Sequence, residues 1–219
     1  MHKILTRRLD TKKVVKSYNR LAAFYDVWGK LTETKAQKAV IDLADINDHQ
    51  VILDVGCGTG RLLKEAILRN PHGTNFGLDS SESMLKRSDR KLKKHRLQNY
   101  TLHQGSIFEL PIDDNSIDIL LSTFLMDLLP EDTFDQIAES FFRKLKSGGV
   151  VVIAHFSFGT RPIHQAWYWI ARHFPGILTG CRPIIFQKYL ENAGFTVEQD
   201  LQISQNTFPA EIVKARKPD

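Results

Sequence analysis

An acidic, glycine-rich stretch near residue 54 is where residue types and spacing first suggest chemistry. It reads Asp54-Val55-Gly56-Cys57-Gly58-Thr59-Gly60-Arg61. Glycines at alternate positions permit a tight turn and let the backbone approach a ligand closely. A dinucleotide-binding loop spaces its glycines G-x-G-x-x-G, so that a pyrophosphate rests on a helix N-terminus. Here the third glycine comes one residue early, and the Asp54 carboxylate suits an ammonium group better than a pyrophosphate.

A second carboxylate, Asp79, follows Gly77-Leu78 and stands nineteen residues after Gly60. An acid at the end of a second strand can accept both ribose hydroxyls of a nucleoside. Together with Asp54 it indicates a nucleoside joined to an amino acid, which is the composition of S-adenosylmethionine. The glycine loop alone leaves open a strand-to-helix turn that binds no ligand.

The segments around these residues alternate between strand and helix periods. Residues 51–55 form a short, mostly β-branched apolar run that ends in glycines, as in a buried parallel strand. Further strands are predicted at 74–79, 100–103, 117–123, 150–156, 195–204 and 207–216. Helices are predicted from Asp10 or Thr11 to Tyr25, over 36–44, 60–69, 82–95 and 132–145, and from Pro183 to Gly194.

This alternation predicts an α/β fold. We expect a Rossmann-like, doubly wound and mostly parallel sheet with a C-terminal strand pair and an N-terminal helical cap. A single domain would cover 1–219, with N-terminal helices in 1–48 and an insertion at 157–182. In such sheets ligands bind at the carboxyl ends of the strands, where the strand order reverses. Asp54 and Asp79 both stand near predicted strand ends.

Net charge is uneven along the chain. The 219 residues include 30 Lys+Arg and 25 Asp+Glu, for a formal net charge of +5. Residues 1–20 hold seven basic residues against Asp10 alone, and residues 140–190 hold seven with no acid, so the remainder is acidic. Basic segments of this kind favour an anionic lipid surface, a nucleic acid or an acidic substrate, or are simply solvated.

The overall composition is that of a globular protein. Apolar residues make up 42%, which excludes disordered, collagen-like and coiled-coil classes. Cys57 and Cys181 are too few for a disulfide framework and too isolated for a zinc site, so no metal is expected. No apolar run approaches the ~20 residues of a membrane span, and no signal-peptide pattern is present. We expect a cytoplasmic protein, with a peripheral position at the inner face of the membrane as the alternative.

Four stretches, in order, resemble motifs of the class I S-adenosylmethionine-dependent methyltransferases, in particular the ubiquinone- and menaquinone-biosynthesis branch. They are VILDVGCGTG at 51–60, GLDSSESML at 77–85, LPIDDNSID at 110–118 and LKSGG at 145–149. The resemblance runs from about Tyr18 to Lys217. It implies S-adenosyl-L-methionine as cofactor and in-line methyl transfer to a small-molecule or lipid acceptor. We expect no nucleic acid as partner, for the reason given below.

The resemblance also implies roles for single residues. Asp54 would hold the methionine ammonium, and Asp79 would bind the ribose. Ser80 and Met84 would flank the adenine, and Ser106 stands where the family usually has an acid that contacts the adenine amine. The full set of cofactor-lining residues is Asp54, Gly56, Gly58, Thr59, Gly60, Asp79, Ser80, Met84, Ser106, Ile107 and Ser122.

A narrower similarity concerns the methyl acceptor. The stretch from Tyr18 to Asp26, and VVVIAHFS at 150–157, resemble bacterial phosphatidylethanolamine N-methyltransferases of the quinone-methylase-like type. This implies a phospholipid amine such as phosphatidylethanolamine as acceptor. The alternative is a quinone-type ring or another small-molecule acceptor.

Methyl transfer from a sulfonium needs alignment of nucleophile, methyl and sulfur rather than a catalytic triad. The catalytic candidates are Tyr25 and His155. Tyr25 would cap the cofactor cleft, or else pack in the N-terminal helix. His155, at the end of the fifth strand, would be a base or a phosphate ligand, or else a histidine hydrogen-bonded at the rim. We expect Asp127 to be a solvated loop acid rather than a ligand for an acceptor ammonium, and Cys57 to be a packing residue.

Residues 157–182 combine aromatic and basic residues without an acid. Trp167-Tyr168-Trp169, with Arg161 and Arg172, suit a membrane interface or a lipid-lined acceptor pocket. The alternative is a lid that packs its aromatic rings onto the domain.

Three other classes of protein are alternatives. Methylation of exocyclic base amines in nucleic acid generally uses an Asn/Asp-Pro-Pro-Tyr/Phe motif after strand four, where this chain has STFL at 122–125. A non-catalytic cofactor- or membrane-binding module is disfavoured because Asp54 and Asp79 are both retained. An NAD-dependent oxidoreductase is disfavoured by the glycine spacing.

Overall fold

The computed structural model describes residue 29 and residues 31–109, 112–174, 178 and 180–219. Its strands are β1 (Val51–Val55), β2 (Thr74–Asp79), β3 (Tyr100–Gln104), β4 (Ile117–Thr123), β5 (Leu145–Phe156), β6 (Thr196–Gln205) and β7 (Phe208–Arg216). They form one sheet in the order β3-β2-β1-β4-β5-β7-β6. β1 to β5 are parallel, and β7 is antiparallel to both β5 and β6. The predicted doubly wound sheet with a C-terminal strand pair is confirmed.

The α-helices of the described residues pack on both faces of this sheet. They are α1 (Thr34–Ala44), α2 (Arg61–Arg69), α3 (Glu82–Lys94), α4 (Phe134–Lys144), α5 (Pro162–His173) and α6 (Gln187–Asn192). The first four match the helices predicted from apolar spacing. The N-terminal helix predicted to end at Tyr25 lies outside the described residues, and so does most of the expected helical cap. No described helix is long and apolar enough to cross a membrane.

The central strands β1, β4 and β5 are buried on both faces, which explains why they are apolar runs rather than alternating ones. Leu53 and Leu120 point into one cluster together with Phe134 of α4. Ile52 and Ile119 point into a second cluster on the opposite face, where α1 and α2 pack. This double packing fixes the strand ends that carry the site.

Two segments differ from prediction. Pro183 was expected to begin a helix, but α6 begins at Gln187. The Ile184 backbone N–H donates to the Phe156 carbonyl oxygen at 3.1 Å, so this stretch first follows the end of β5. The insertion at 157–182 contains α5, which was not predicted. Pro162 occupies its first turn, a position that favours helix initiation and could have signalled it.

Candidate cofactor and acceptor site

The strand order reverses between β1 and β4, and the candidate site lies at the carboxyl ends of these strands. From β1 the sheet continues through β2 and β3 on one side, and through β4 and β5 on the other. The crevice outside such a reversal is the usual ligand site of a doubly wound sheet. Asp54 and Ser122 lie near the ends of the two central strands.

The glycine loop at 56–60 turns from β1 into α2. Gly56, Gly58 and Gly60 have φ of +75°, +51° and +72°, a region that residues with side chains rarely adopt. A Cβ on Gly60 would lie 2.2 Å from Ser88 Oγ, and one on Gly56 would lie 2.9 Å from a Leu125 carbon. A Cβ on Gly58 would meet nothing nearer than 3.9 Å. Two glycines therefore permit close packing, and the third leaves open space beside the backbone.

Asp79 connects this loop to β2. Its Oδ2 accepts the Gly58 backbone N–H at 2.9 Å, and its Oδ1 accepts the Ser81 N–H at 2.8 Å. Burial raises the pKa of Asp79 above its usual range, while these two N–H groups act in the opposite direction. Each carboxylate oxygen keeps a second lone pair. Asp79 can thus accept ribose hydroxyls with its side chain already fixed.

Asp54 is 1% exposed, and its Oδ2 has no hydrogen-bond partner among the described residues. Burial and the nearby Asp79 charge raise the pKa of Asp54 to about 8, against the lowering effect of the Leu63 backbone N–H. A buried carboxylate without a partner is unfavourable until a cation reaches it. The ammonium of the methionine moiety of S-adenosylmethionine is such a cation, so the orphaned oxygen fits that cofactor.

The predicted adenine-side residues surround the end of β2 and the following loops. Met84 is buried in the first turn of α3, and Ser80 is exposed next to Asp79. Ile107 is buried, whereas Ser106 is half-buried and its Oγ accepts the Phe108 N–H at 3.2 Å. The Ser106 hydroxyl hydrogen stays available to donate to a ring nitrogen.

Thr59 and Ser122 are both engaged by other parts of the protein. Lys91 Nζ donates to Thr59 Oγ1 at 3.0 Å. Ser122 is fully buried, and its Oγ donates to the Val55 carbonyl oxygen at 2.9 Å. Ser122 therefore holds β4 against the start of the glycine loop, and its direct contact with the cofactor stays a prediction.

Asp127 is fully buried, so the expectation of a solvated loop acid is wrong. The turn that follows β4 places its Oδ2 3.0 Å from the Phe156 N–H, which donates to it. Arg182 donates to the Asp127 carbonyl oxygen at 2.8 Å. Oδ1 has no hydrogen-bond partner within the described ranges. Burial raises the pKa of Asp127 to about 6, while His155, the Phe156 N–H and Arg182 lower it.

His155 is fully buried opposite Glu211 of β7. Its Nε2 lies 3.1 Å from Glu211 Oε2, and its Nδ1 lies 3.2 Å from the Phe156 carbonyl oxygen. Burial lowers the pKa of His155, but Glu211, Asp127 and the Phe156 carbonyl together raise it above the usual value. Glu211 shifts to a lower pKa through the same pairing with His155, although burial opposes it. The distance favours an ion pair, although Nε2 is not aligned for a hydrogen bond to Glu211. A role for His155 as base stays a prediction.

Glu33 is a buried acid that the sequence analysis missed. It precedes the first residue of α1 and is 5% exposed. Burial raises the pKa of Glu33 to about 8, with Arg61 lowering it and the charge of Asp127 raising it. An acid at the start of a helix usually lies in solvent and interacts favourably with the helix dipole. The position of Glu33 in the sequence therefore gave no sign of a functional role.

Two remaining candidates have simpler outcomes. Tyr25 lies outside the described residues, as does Tyr18, so capping of the cleft stays a prediction. Cys57 is buried, and burial raises the pKa of its thiol well above the usual value. The expected packing role of Cys57 agrees with this placement.

Comparisons with known proteins agree with this arrangement. A model of the family described as Methyltransferase domain matches residues 46–179, which include the glycine loop, Asp54, Asp79 and Asp127. A demethylmenaquinone methyltransferase from Lactobacillus johnsonii is 32% identical over 178 residues, covering 78% of this chain and 72% of that protein. Another from Geobacillus stearothermophilus is 29% identical over 173 residues, covering 74% and 72%.

The fold is also similar to solved structures. A SAM-dependent methyltransferase from Aquifex aeolicus superposes with a TM-score of 0.65 at 20% sequence identity, covering 95% of this chain and 99% of that one. At this level of identity the likeness concerns the fold alone. The sequence relatives therefore say more about chemistry than the structural neighbour does.

Proposed function

The chain belongs to the methyltransferase domain family and is an S-adenosylmethionine-dependent methyltransferase, and from this premise we propose that it methylates the reduced ring of a demethylmenaquinone-type quinone. The curated relatives at about 30% identity carry that name. The phospholipid amine implied by the narrower sequence similarity is the second candidate. Its support is the aromatic, basic insertion at 157–182.

The observation that carries the proposal is a pair of buried, unpartnered carboxyl oxygens near the ends of two adjacent strands. Asp54 Oδ2 lies at β1, and Asp127 Oδ1 follows β4. Neither has a hydrogen-bond partner among the described residues, so each is unfavourable unless a ligand supplies one. The first suits the cofactor ammonium, and the second would pair with a hydrogen-bond donor of the methyl acceptor.

Bound S-adenosylmethionine would supply a methyl group on a sulfonium, which is reactive without further activation. The protein would contribute alignment. Asp54 would hold the amino-acid end and Asp79 the ribose, and Gly58 leaves room for the molecule to pass along the loop. Alignment of reacting groups can lower a barrier by ~7–11 kcal/mol. The buried surroundings of Asp54 also exclude water, which would otherwise compete as a nucleophile.

A membrane surface is a fitting source for an isoprenoid acceptor, and α5 offers a contact. Ile163, Trp169 and Phe174 are 51%, 54% and 49% exposed. Arg161 and Arg172 are exposed beside them, in a segment that has no acid between residues 140 and 190. Exposed aromatic rings next to arginine favour an anionic membrane interface.

The inner side of the same helix packs aromatic rings onto the domain, as the lid alternative predicts. The Trp167 ring contacts the Phe208 ring edge to face, with ring centroids 5.3 Å apart, and its Nε1 donates to Thr207 Oγ1 at 3.2 Å. The insertion thus packs one row of rings onto the domain and exposes another.

Binding and acceptor assays test this proposal. Calorimetry with S-adenosylhomocysteine should show binding to the wild-type protein, and no binding would overturn the assigned cofactor. Labelled S-adenosylmethionine should then be incubated with dithionite-reduced short-chain demethylmenaquinone, with phosphatidylethanolamine vesicles, or with small amines. We expect label in the quinone, whereas label in phosphatidylethanolamine alone would replace the acceptor with the second candidate.

A further inference from the structure

We propose that Asp127 is the base that takes a proton from a ring hydroxyl of an uncharged methyl acceptor, through its unpartnered Oδ1. This inference rests on the proposed function and adds the residue and the acceptor's charge. Asp127 is fully buried, and its Oδ2 and its carbonyl oxygen are held by Phe156 and Arg182. Only Oδ1 is left without a partner in the described part of the chain.

The first argument is the fixed direction of this carboxyl group. The Phe156 N–H donates to Oδ2 at 3.0 Å, and Arg182 donates to the carbonyl oxygens of Asp127 and Leu129 at 2.8 Å and 2.6 Å. These contacts anchor the turn after β4 to the end of β5. The Asp127 side chain is therefore preorganised, as a proton acceptor needs to be.

The second argument is the charge of the surrounding groups. Arg182 is a permanent cation beside the Asp127 anion. His155 and Glu211 form a second pair of opposite charge at 3.1 Å. Burial raises the pKa of Glu33 to about 8, with Arg61 opposing, which favours the neutral form of its carboxyl near pH 7. Two further groups face this cluster: Asp200, whose side chain hydrogen-bonds to Glu211, and Arg61 beside Glu33, with one charge of each sign. Counted together, these groups have no net charge before the acceptor enters.

This balance discriminates between the two acceptor candidates. A hydroxyl that gives its proton to Asp127 leaves a ring oxyanion next to Arg182, so the cluster stays neutral throughout. An ammonium would add a positive charge that none of the described buried carboxyls of this cluster compensates, both before and after its proton moves. Burying an uncompensated charge is strongly unfavourable, so a neutral hydroxylated ring is favoured.

The proton transfer balances without a further reactant. The O–H bond of the reduced quinone breaks, its proton forms a bond to Asp127 Oδ1, and its electron pair stays on the ring. The neighbouring ring carbon thereby becomes the nucleophile for the methyl group, whose bonding pair remains on sulfur. The ring C–H proton then leaves to water, which restores the aromatic ring as an oxyanion. The proton on Asp127 Oδ1 returns to the ring oxygen, so the carboxylate is regenerated.

The first test needs no variant. In the presence of S-adenosylhomocysteine, binding of 1-naphthol should weaken as the pH falls through about 6, where Asp127 becomes protonated and its carboxyl is a weaker, uncharged acceptor. At neutral pH the cationic analogue 1-naphthylmethylamine should bind at least about tenfold more weakly than 1-naphthol. A flat pH profile, or tighter binding of the amine, would overturn the inference.

The second test compares Asp127→Asn with Asp132→Asn, an exposed acid of the following turn. For reduced demethylmenaquinone, Asp127→Asn should lower kcat/KM by ~10²–10⁴-fold and remove the acid limb near pH 6, because positioned bases contribute that much. Asp132→Asn should keep the wild-type kcat/KM and the same decrease of kcat/KM below about pH 6. If Asp127→Asn keeps the limb while cofactor binds and quinone is methylated, the inference fails although the proposed function stands.

Discussion

The Asp79 carboxylate accepts the Gly58 backbone N–H at 2.9 Å, and this contact joins the end of β2 to the glycine loop after β1. The two residues are 21 positions apart in the chain. One side chain thus shapes the loop and, in the proposed complex, would present acceptor oxygens to a nucleoside. Loss of Asp79 would affect both functions at once.

Asp79→Asn should weaken S-adenosylhomocysteine binding by ~10–100-fold, because hydrogen bonds to a charged acceptor contribute about 1.5–3 kcal/mol each. Calorimetry at neutral pH measures the affinity. Asp132→Asn, an exposed acid of the same type, should bind like the wild type. Unchanged affinity of Asp79→Asn would remove Asp79 from the cofactor site.

Asp54 predicts a pH dependence of stability for the ligand-free protein. Its pKa in the folded state is raised from 3.8 to about 8, so the folded state binds this proton more tightly than the unfolded chain does. Its contribution is fully present below pH 3.8 and is lost as pH rises through about 8. The free energy of unfolding of the wild type should therefore fall over this interval relative to Asp54→Asn.

Chemical denaturation of both proteins at several pH values measures this difference. With S-adenosylhomocysteine bound, the wild type should instead be more stable than Asp54→Asn at the alkaline end of the pH range. The reason is that the ammonium of the ligand would pair with the Asp54 carboxylate. An equal pH profile for the two ligand-free proteins would contradict an ionisable, buried Asp54.

A side chain at position 60 should create a packing conflict with α3, because Gly60 lies against Ser88. Gly60→Ala would place a Cβ 2.2 Å from Ser88 Oγ at a φ of +72°, so it should destabilise the protein by about 1–3 kcal/mol. Ser88→Gly removes the clashing atoms, although glycine in a helix costs about 1 kcal/mol. A double-mutant cycle measured by chemical denaturation tests this contact. The double variant should lose less unfolding free energy than the two single variants together, by at least about 0.5 kcal/mol. Additive effects would contradict this contact.

Trp169 predicts an effect on membrane binding without an effect on folding. Trp169→Ser should weaken sedimentation with phosphatidylglycerol-containing vesicles by about tenfold, because burying an aromatic side chain contributes about 1.5–3 kcal/mol. Leu68→Ser is the matched control, since Leu68 is 52% exposed and lies on α2, whereas Trp169 is 54% exposed. Equal vesicle binding by the two variants would exclude the α5 face as the membrane contact.

Local sequence determined much of the fold and the cofactor side of the site. The apolar runs of β1, β4 and β5 predict parallel strands because both of their faces are buried, whichever helices cover them. Gly56, Gly58 and Gly60 predict a tight turn, since left-handed backbone is a property of the residue itself. Asp54 could be identified in the same way, because its position relative to the loop is set by chain continuity.

The acceptor side was decided by the tertiary structure. Asp127 is an ordinary loop acid in sequence, and it is buried only because the turn after β4 meets a backbone N–H located 29 residues further on. His155 meets Glu211 because β7 pairs antiparallel with β5, and Glu33 becomes buried although it lies at the start of a helix. Burial and long-range charge pairs depend on which strand ends lie side by side. Hydrophobic periodicity reports local structure and which face is buried, and so it does not contain that information.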